Sequence, residues 1–151
     1  MSDRTMSSIV VDAPPEDVMA VIADFDAYPE WTGAVKEAQV LTEYEDDGRP
    51  AQVRFRLDAG PIKDDYTLEY EWDGDAAVRW TLVEGRLLTA MDGSYTLVPV
   101  DGGATEVTYE LAVDVKLPLL GRMKRNGEKV IIDTALKGLK RRVEDRVEDA
   151  G

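Results

Sequence analysis

Apolar and polar residues alternate along most of this chain, and the period of the alternation changes twice. Ser7 to Asp12 carries the β-branched run Ile9-Val10-Val11 and predicts a strand. Asp12-Ala13-Pro14-Pro15-Glu16-Asp17 then reads as a helix start, with prolines in the first turn and acids at the positive end of the helix dipole. Val18, Val21, Ile22 and Phe25 follow at helical spacing, so the helix is expected to stop near Asp26. Tyr28-Pro29-Glu30-Trp31 predicts a second short helical turn, ended by Gly33. From Val35 the period becomes two. Val35 to Glu45 predicts a strand closed by Glu45-Asp46-Asp47-Gly48. Val53, Phe55 and Leu57 then alternate with polar residues, as do Tyr66, Leu68, Tyr70 and Trp72, and then Val78, Trp80 and Leu82. Leu87 to Val98 predicts a strand with a bend or bulge at Gly93, and Val107 to Val115 a last one. Gly60-Pro61, Asp73-Gly74-Asp75, Gly85 and Asp101-Gly102-Gly103 supply the reversals.

The second change comes after Pro118. Ile132, Leu136, Leu139, Val143 and Val147 are spaced 4, 3, 4 and 4 apart, one core-facing stripe of a long helix reaching about Glu148. Gly121, Gly127 and Gly138 weaken that helix, and residues 119–126 are expected to form a looser entry. The order is strand, two short helices, six strands in a meander, long helix. Each strand has one apolar face, so the predicted fold is α+β: a curved antiparallel seven-stranded sheet wrapped around the C-terminal helix. Residues 1–151 read as one domain, without repeat or linker. A single helix does not fill the width of such a sheet, and the apolar space left over is the expected ligand site.

Phe55, Tyr70, Trp72, Trp80, Tyr95 and Tyr109 all fall on the apolar phases of their strands. They either pack on the helix as ordinary core or line a pocket that offers large apolar surfaces and several polar handles. Met91 and Met123 are candidates for adaptable walls. Thr134 flanks the helical stripe, as does Asp133. Arg54, Arg56 and Arg79 share the polar phases and are expected to point outward; Arg86, just after Gly85, has no phase to fix its direction.

Composition narrows the chemistry. The chain contains neither histidine nor cysteine. Disulfides, thiolate metal sites and His-dependent triads are thereby excluded. No calcium-loop spacing is present, and neither a metal nor another cofactor is expected. The net charge is −13. Residues 1–115 carry 25 acidic and 8 basic side chains, whereas residues 116–151 carry 6 and 10. The acidic bulk repels phosphate backbones and argues against nucleic acid as a partner. The basic end reads as a solvated helix face, with transient contact to an anionic membrane surface as the alternative. There is no transmembrane run and no signal pattern at the N-terminus, so the expectation is a cytoplasmic protein.

Specific segments resemble a known family. They are Val11-Asp12-Ala13-Pro14-Pro15-Glu16-Asp17-Val18, Asp24-Phe25-Asp26-Ala27-Tyr28-Pro29-Glu30-Trp31, Trp80-Thr81-Leu82-Val83-Glu84-Gly85, Asp92-Gly93-Ser94-Tyr95-Thr96-Leu97 and Thr105-Glu106-Val107-Thr108-Tyr109. Over residues 5–148 the chain is similar to the START-like, or SRPBCC, superfamily, and within it to the bacterial polyketide cyclase/dehydrase and lipid-transport family. The resemblance implies a helix-grip fold and a cavity for a hydrophobic small molecule, such as a lipid, a polyketide or an aromatic metabolite. It places Trp31 at an edge where such cavities open. Its second implication is a polyketide aromatase/cyclase or dehydratase, for which Tyr70, Tyr95 and Arg86 are the catalytic candidates; the outward arginines depart from that pattern. An interaction module with a vestigial cavity is a third reading.

Overall fold

The computed structural model describes residues 4–60, 62–116 and 121–150, without the side chains of 62, 121–123 and 147–150. Seven strands form one sheet: β1 (Thr5–Val11), β2 (Val35–Glu43), β3 (Pro50–Ala59), β4 (Ile62–Asp73), β5 (Ala77–Gly85), β6 (Leu88–Val100) and β7 (Ala104–Val115). Their order is β1-β7-β6-β5-β4-β3-β2, antiparallel throughout. The helices are α1 (Pro15–Ala23), α2 (Tyr28–Trp31) and the long α3 (Gly121–Ala150). This is the sheet-over-helix arrangement expected from the alternation, and the helix-grip fold that the resemblance implies.

The period-two pattern decides which face is inside. On β3, Val53, Phe55 and Leu57 are buried while Arg54 and Arg56 are exposed. The same phase buries Tyr66, Leu68 and Tyr70 on β4, Val78 and Trp80 on β5, Met91, Tyr95 and Leu97 on β6, and Val107, Tyr109, Leu111 and Val113 on β7. The stripe Ile132, Leu136, Leu139 and Val143 of α3 is buried against them. Burying a large apolar side chain contributes about 1.5–3 kcal/mol, so this one contiguous cluster dominates stability.

Three local expectations are corrected. The first helix ends at Ala23, because Asp24 leaves helical geometry; Phe25–Ala27 forms a short 3-10 turn that leads into α2. Gly93 stays in register, opposite Trp80 on one side and Leu111 on the other, and its strand is irregular between Leu88 and Ala90 instead. Residues 121–126 are helical rather than a loose entry, while 119–120 lie outside the described residues.

Polar fasteners tie α3 to the first and last strands. The Glu128 carboxylate is fully buried; it accepts the Thr5 hydroxyl at 2.6 Å and the Val113 N–H at 2.8 Å. Lys140 donates to the Val10 carbonyl and to Glu144, which in turn accepts the Asp12 N–H. The Thr105 hydroxyl donates to the Ala13 carbonyl and pins the β1–α1 corner to β7. Buried polar groups of this kind are tolerated because each finds a partner.

Candidate functional site

The inner face of the sheet is an unbroken chain of aromatic rings. Trp31 packs edge-on against Tyr28 at 4.8 Å between centroids, Tyr28 against Phe25 at 4.7 Å, and Phe25 against Tyr70 at 4.8 Å. Tyr70 continues to Trp80 at 5.7 Å, Trp80 to Tyr95 at 5.5 Å, and Tyr95 to Tyr109 at 4.6 Å. Phe55 stacks on Tyr66 at 5.5 Å. These separations suit offset and edge-to-face contacts.

Local sequence explains the placement. Trp80 and Gly93 are cross-strand neighbours, and a Cβ on Gly93 would lie 2.3 Å from the indole ring. Glycine there lets the tryptophan lie flat on the sheet and opens its far edge to Tyr109, which meets it at 88° and 5.4 Å. Tyr95 and Tyr109 are themselves directly opposed on β6 and β7.

Besides the indole N–H of Trp80, the polar side-chain atoms among these sheet rings are phenols. The Tyr28 hydroxyl donates to the Ile22 carbonyl at 2.5 Å. The hydroxyls of Tyr66, Tyr70, Tyr95 and Tyr109 make no hydrogen bond to any described residue, though every one of these side chains is buried. Among the described residues, the side-chain atoms both sealed from solvent and unpartnered are Trp31 Nε1 and Arg142 Nε, and the phenols are not in that group. Burial pushes all five phenols well above the ordinary tyrosine range. Proximity adds to the effect: Tyr109 acts on Tyr28, Tyr66, Tyr70 and Tyr95. Near pH 7 these hydroxyls are therefore neutral donors and acceptors.

That state has a pH consequence. The unfolded chain ionises its tyrosines near pH 10, before the folded one does, so the native state holds more protons above that pH and its stability falls as pH rises. An alkaline titration followed at 295 nm is expected to show the five buried phenols ionising together with cooperative unfolding. Five independent titrations near pH 10 in a folded protein would show that the phenols are solvated.

The sequence-predicted residues divide. Phe55, Tyr70, Trp80, Met91, Tyr95 and Tyr109 are buried on the inner face. Trp72 is half-buried at one end, with Nε1 donating to the Pro50 carbonyl and the Arg49 guanidinium 5.1 Å above its ring. Trp31 is buried, its backbone carbonyl against Gly138 of α3. Thr134 is half-buried on α3, and the Met123 side chain lies outside the described residues. Arg86 is corrected as a catalytic candidate. Its side chain is 80% exposed and lies 4.0 Å from Asp65, in solvent rather than among the buried phenols. The reason is Asp64, a buried carboxylate that accepts the N–H groups of Asp65, Arg86, Leu87 and Leu88 and fixes the β5–β6 turn. Arg54, Arg56 and Arg79 are exposed as expected.

Sequence reasoning did not select Tyr66, Tyr28 or Phe25. Tyr66 shares the phase of Tyr70, and that alternation was the available signal. Nothing local marks Tyr28 and Phe25, since only the turn after α1 brings them over the sheet. Among the described residues no group of three or more carboxylates is placed to hold a metal ion. No helix there is long and apolar enough to cross a membrane. An open concavity of about 460 Å³ is bordered by Glu71, Arg79, Asp92 and Glu110, and a larger one of about 800 Å³ by Lys36, Arg56, Lys63 and Arg86 together with Leu57, Asp64 and Leu87.

Comparison with known proteins agrees with this architecture. A START superfamily protein from Mycobacterium smegmatis superposes with a TM-score of 0.85 at 26% identity, covering 94% of this chain and 97% of its own. The Zhui aromatase/cyclase from Streptomyces sp. R1128 gives 0.82 at 17% identity, covering 100% and 99%. A protein from Thermus thermophilus gives 0.79 at 22% identity, covering 95% and 99%. No curated protein matches the chain in sequence. Residues 3–144 match the family described as polyketide cyclase/dehydrase and lipid transport, and the chain belongs to that START-like family.

Proposed function

We propose that the protein binds or carries a hydrophobic small molecule (a lipid, a polyketide or an aromatic metabolite) between the inner face of the sheet and α3. One observation carries this reading: Tyr66, Tyr70, Tyr95 and Tyr109 are buried side chains on one concave aromatic face, their hydroxyls make no hydrogen bond to a described residue, and none of these hydroxyls is among the atoms sealed from solvent without a partner. Buried hydroxyls ordinarily have partners. Four such groups suit a space in which water or a ligand oxygen supplies the missing bonds. The rings around them offer apolar area worth about 25 cal/mol per Å² buried, before the costs of association.

The same donors favour a second reading, a polyketide aromatase/cyclase or dehydratase. Phenols polarise carbonyl oxygens, and a shaped cavity folds a reactive chain. Enolisation also needs a base. The phenols stay protonated, the chain has no histidine, and Asp64 and Glu128 are committed to backbone and hydroxyl donors. Holding a molecule asks less of this face than transforming one.

Titration with the neutral dye Nile red tests the reading. One molecule per chain with blue-shifted emission is expected, and Tyr70→Phe/Tyr95→Phe should weaken binding by roughly tenfold, about 1 kcal/mol or less for each lost hydrogen bond. Absence of saturable binding contradicts it. Altered products from a minimal polyketide synthase, lost in the same double variant, would establish the second reading instead.

A further inference from the structure

We infer that this interior selects uncharged ligands and rejects carboxylates of the same shape, a specificity that rests on the ligand-binding reading above. The charged side chains buried among the described residues are Asp64 and Glu128, both acidic. Neither is free. Asp64 is held by the N–H groups of the β5–β6 turn, and Glu128 by Thr5 and Val113. The half-buried cations of α3 among the described residues have partners: Lys124 pairs with Asp114, Lys140 with Glu144, and Arg142 with Glu30 through Nη1, while the Arg142 Nε is sealed from solvent and so out of a ligand's reach. Arg54, Arg56, Arg79 and Arg86 are exposed. The charges that act on the phenols, Asp24 at Tyr28 and Asp64 at Tyr66, are negative.

A carboxylate entering this face loses its water and meets no free cation among the described residues, and that loss is not repaid. An ammonium likewise meets no free carboxylate among the described residues. A ketone, ester or phenol gives up far less hydration, and its oxygen accepts from the tyrosine hydroxyls. The net charge of −13 adds repulsion against anions at longer range. The specificity thus comes from what surrounds the phenols as much as from the phenols themselves.

Two matched pairs test this at pH 7.5: 2-acetylnaphthalene against 2-naphthoate, and tetradecan-2-one against tetradecanoate, each measured by calorimetry or tryptophan fluorescence. In each pair that binds, the neutral member is expected to bind at least tenfold more tightly. If the anion binds as tightly as the ketone or more so, charge selection is wrong and the ligand-binding reading stands. If none of the four binds and Nile red fails as well, both are overturned.

Discussion

Gly138→Ala is expected to destabilise the protein by about 3 kcal/mol, although alanine is the better helix former by about 1 kcal/mol. A Cβ at this position would lie 1.6 Å from the Trp31 carbonyl oxygen and 2.8 Å from its carbonyl carbon. Those are backbone atoms, which no rotamer change moves aside. The substitution must push α2 away from α3, and with it Trp31, Tyr28 and the ring chain they begin. For a chain of this size the loss corresponds to a Tm lower by roughly 10 °C. Thermal and denaturant unfolding of the variant measure it. A variant as stable as the parent, or more stable, would show that α2 does not rest on α3 in this way.

The second large effect is expected at Asp64. Its carboxylate gathers the N–H groups of Arg86, Leu87 and Leu88 at 2.9–3.1 Å, besides that of Asp65 at 2.9 Å. Asp64→Ala removes an ionised acceptor from a buried position and leaves those donors unpaired, at a cost of roughly 3 kcal/mol. Asp64→Asn keeps one acceptor and should recover part of the loss. Amide hydrogen exchange at Leu87 and Leu88 is expected to accelerate in Asp64→Ala beyond the global change in stability. Unchanged protection there would mean that the turn holds without its carboxylate.

Much of this architecture was legible because the sheet is covered on one side. A strand with one wet face writes its orientation into the sequence with a period of two, and Phe55, Tyr70, Trp80, Tyr95 and Tyr109 were assigned to the inner face on that basis. The α3 stripe was legible for the same reason at helical spacing. What escaped depends on contacts between segments far apart in the chain. Gly138 reads as a weak point in a helix until Trp31 is placed against it. Gly93 reads as a bulge until Trp80 is laid across it. The direction of Arg86 is set by Asp64, twenty-two residues earlier, and turn residues carry no periodicity of their own. Glu128 was partly visible: it lies one helical repeat before Ile132 on the buried stripe, where a charge signals a buried partner. That partner, the N–H of Val113 beyond the end of β1, belongs to tertiary structure.

The proposed ligand chemistry follows the same division. Alternation brings the tyrosines to one face, whereas the neutrality of their surroundings comes from which charges find partners elsewhere. The proposed site combines many apolar side chains with a few neutral hydroxyls, a lining suited to orienting a molecule without supplying a base.

An isotope-filtered NOE experiment on carbon-13-labelled protein with unlabelled Nile red locates the bound molecule directly. Contacts are expected between the dye and the ring protons of Tyr66, Tyr70, Tyr95 and Tyr109, together with the methyl groups of Leu136 and Leu139 on α3. Contacts confined to outer-face residues such as Arg79, Thr81 and Thr96, with the four tyrosines silent, would contradict an interior site.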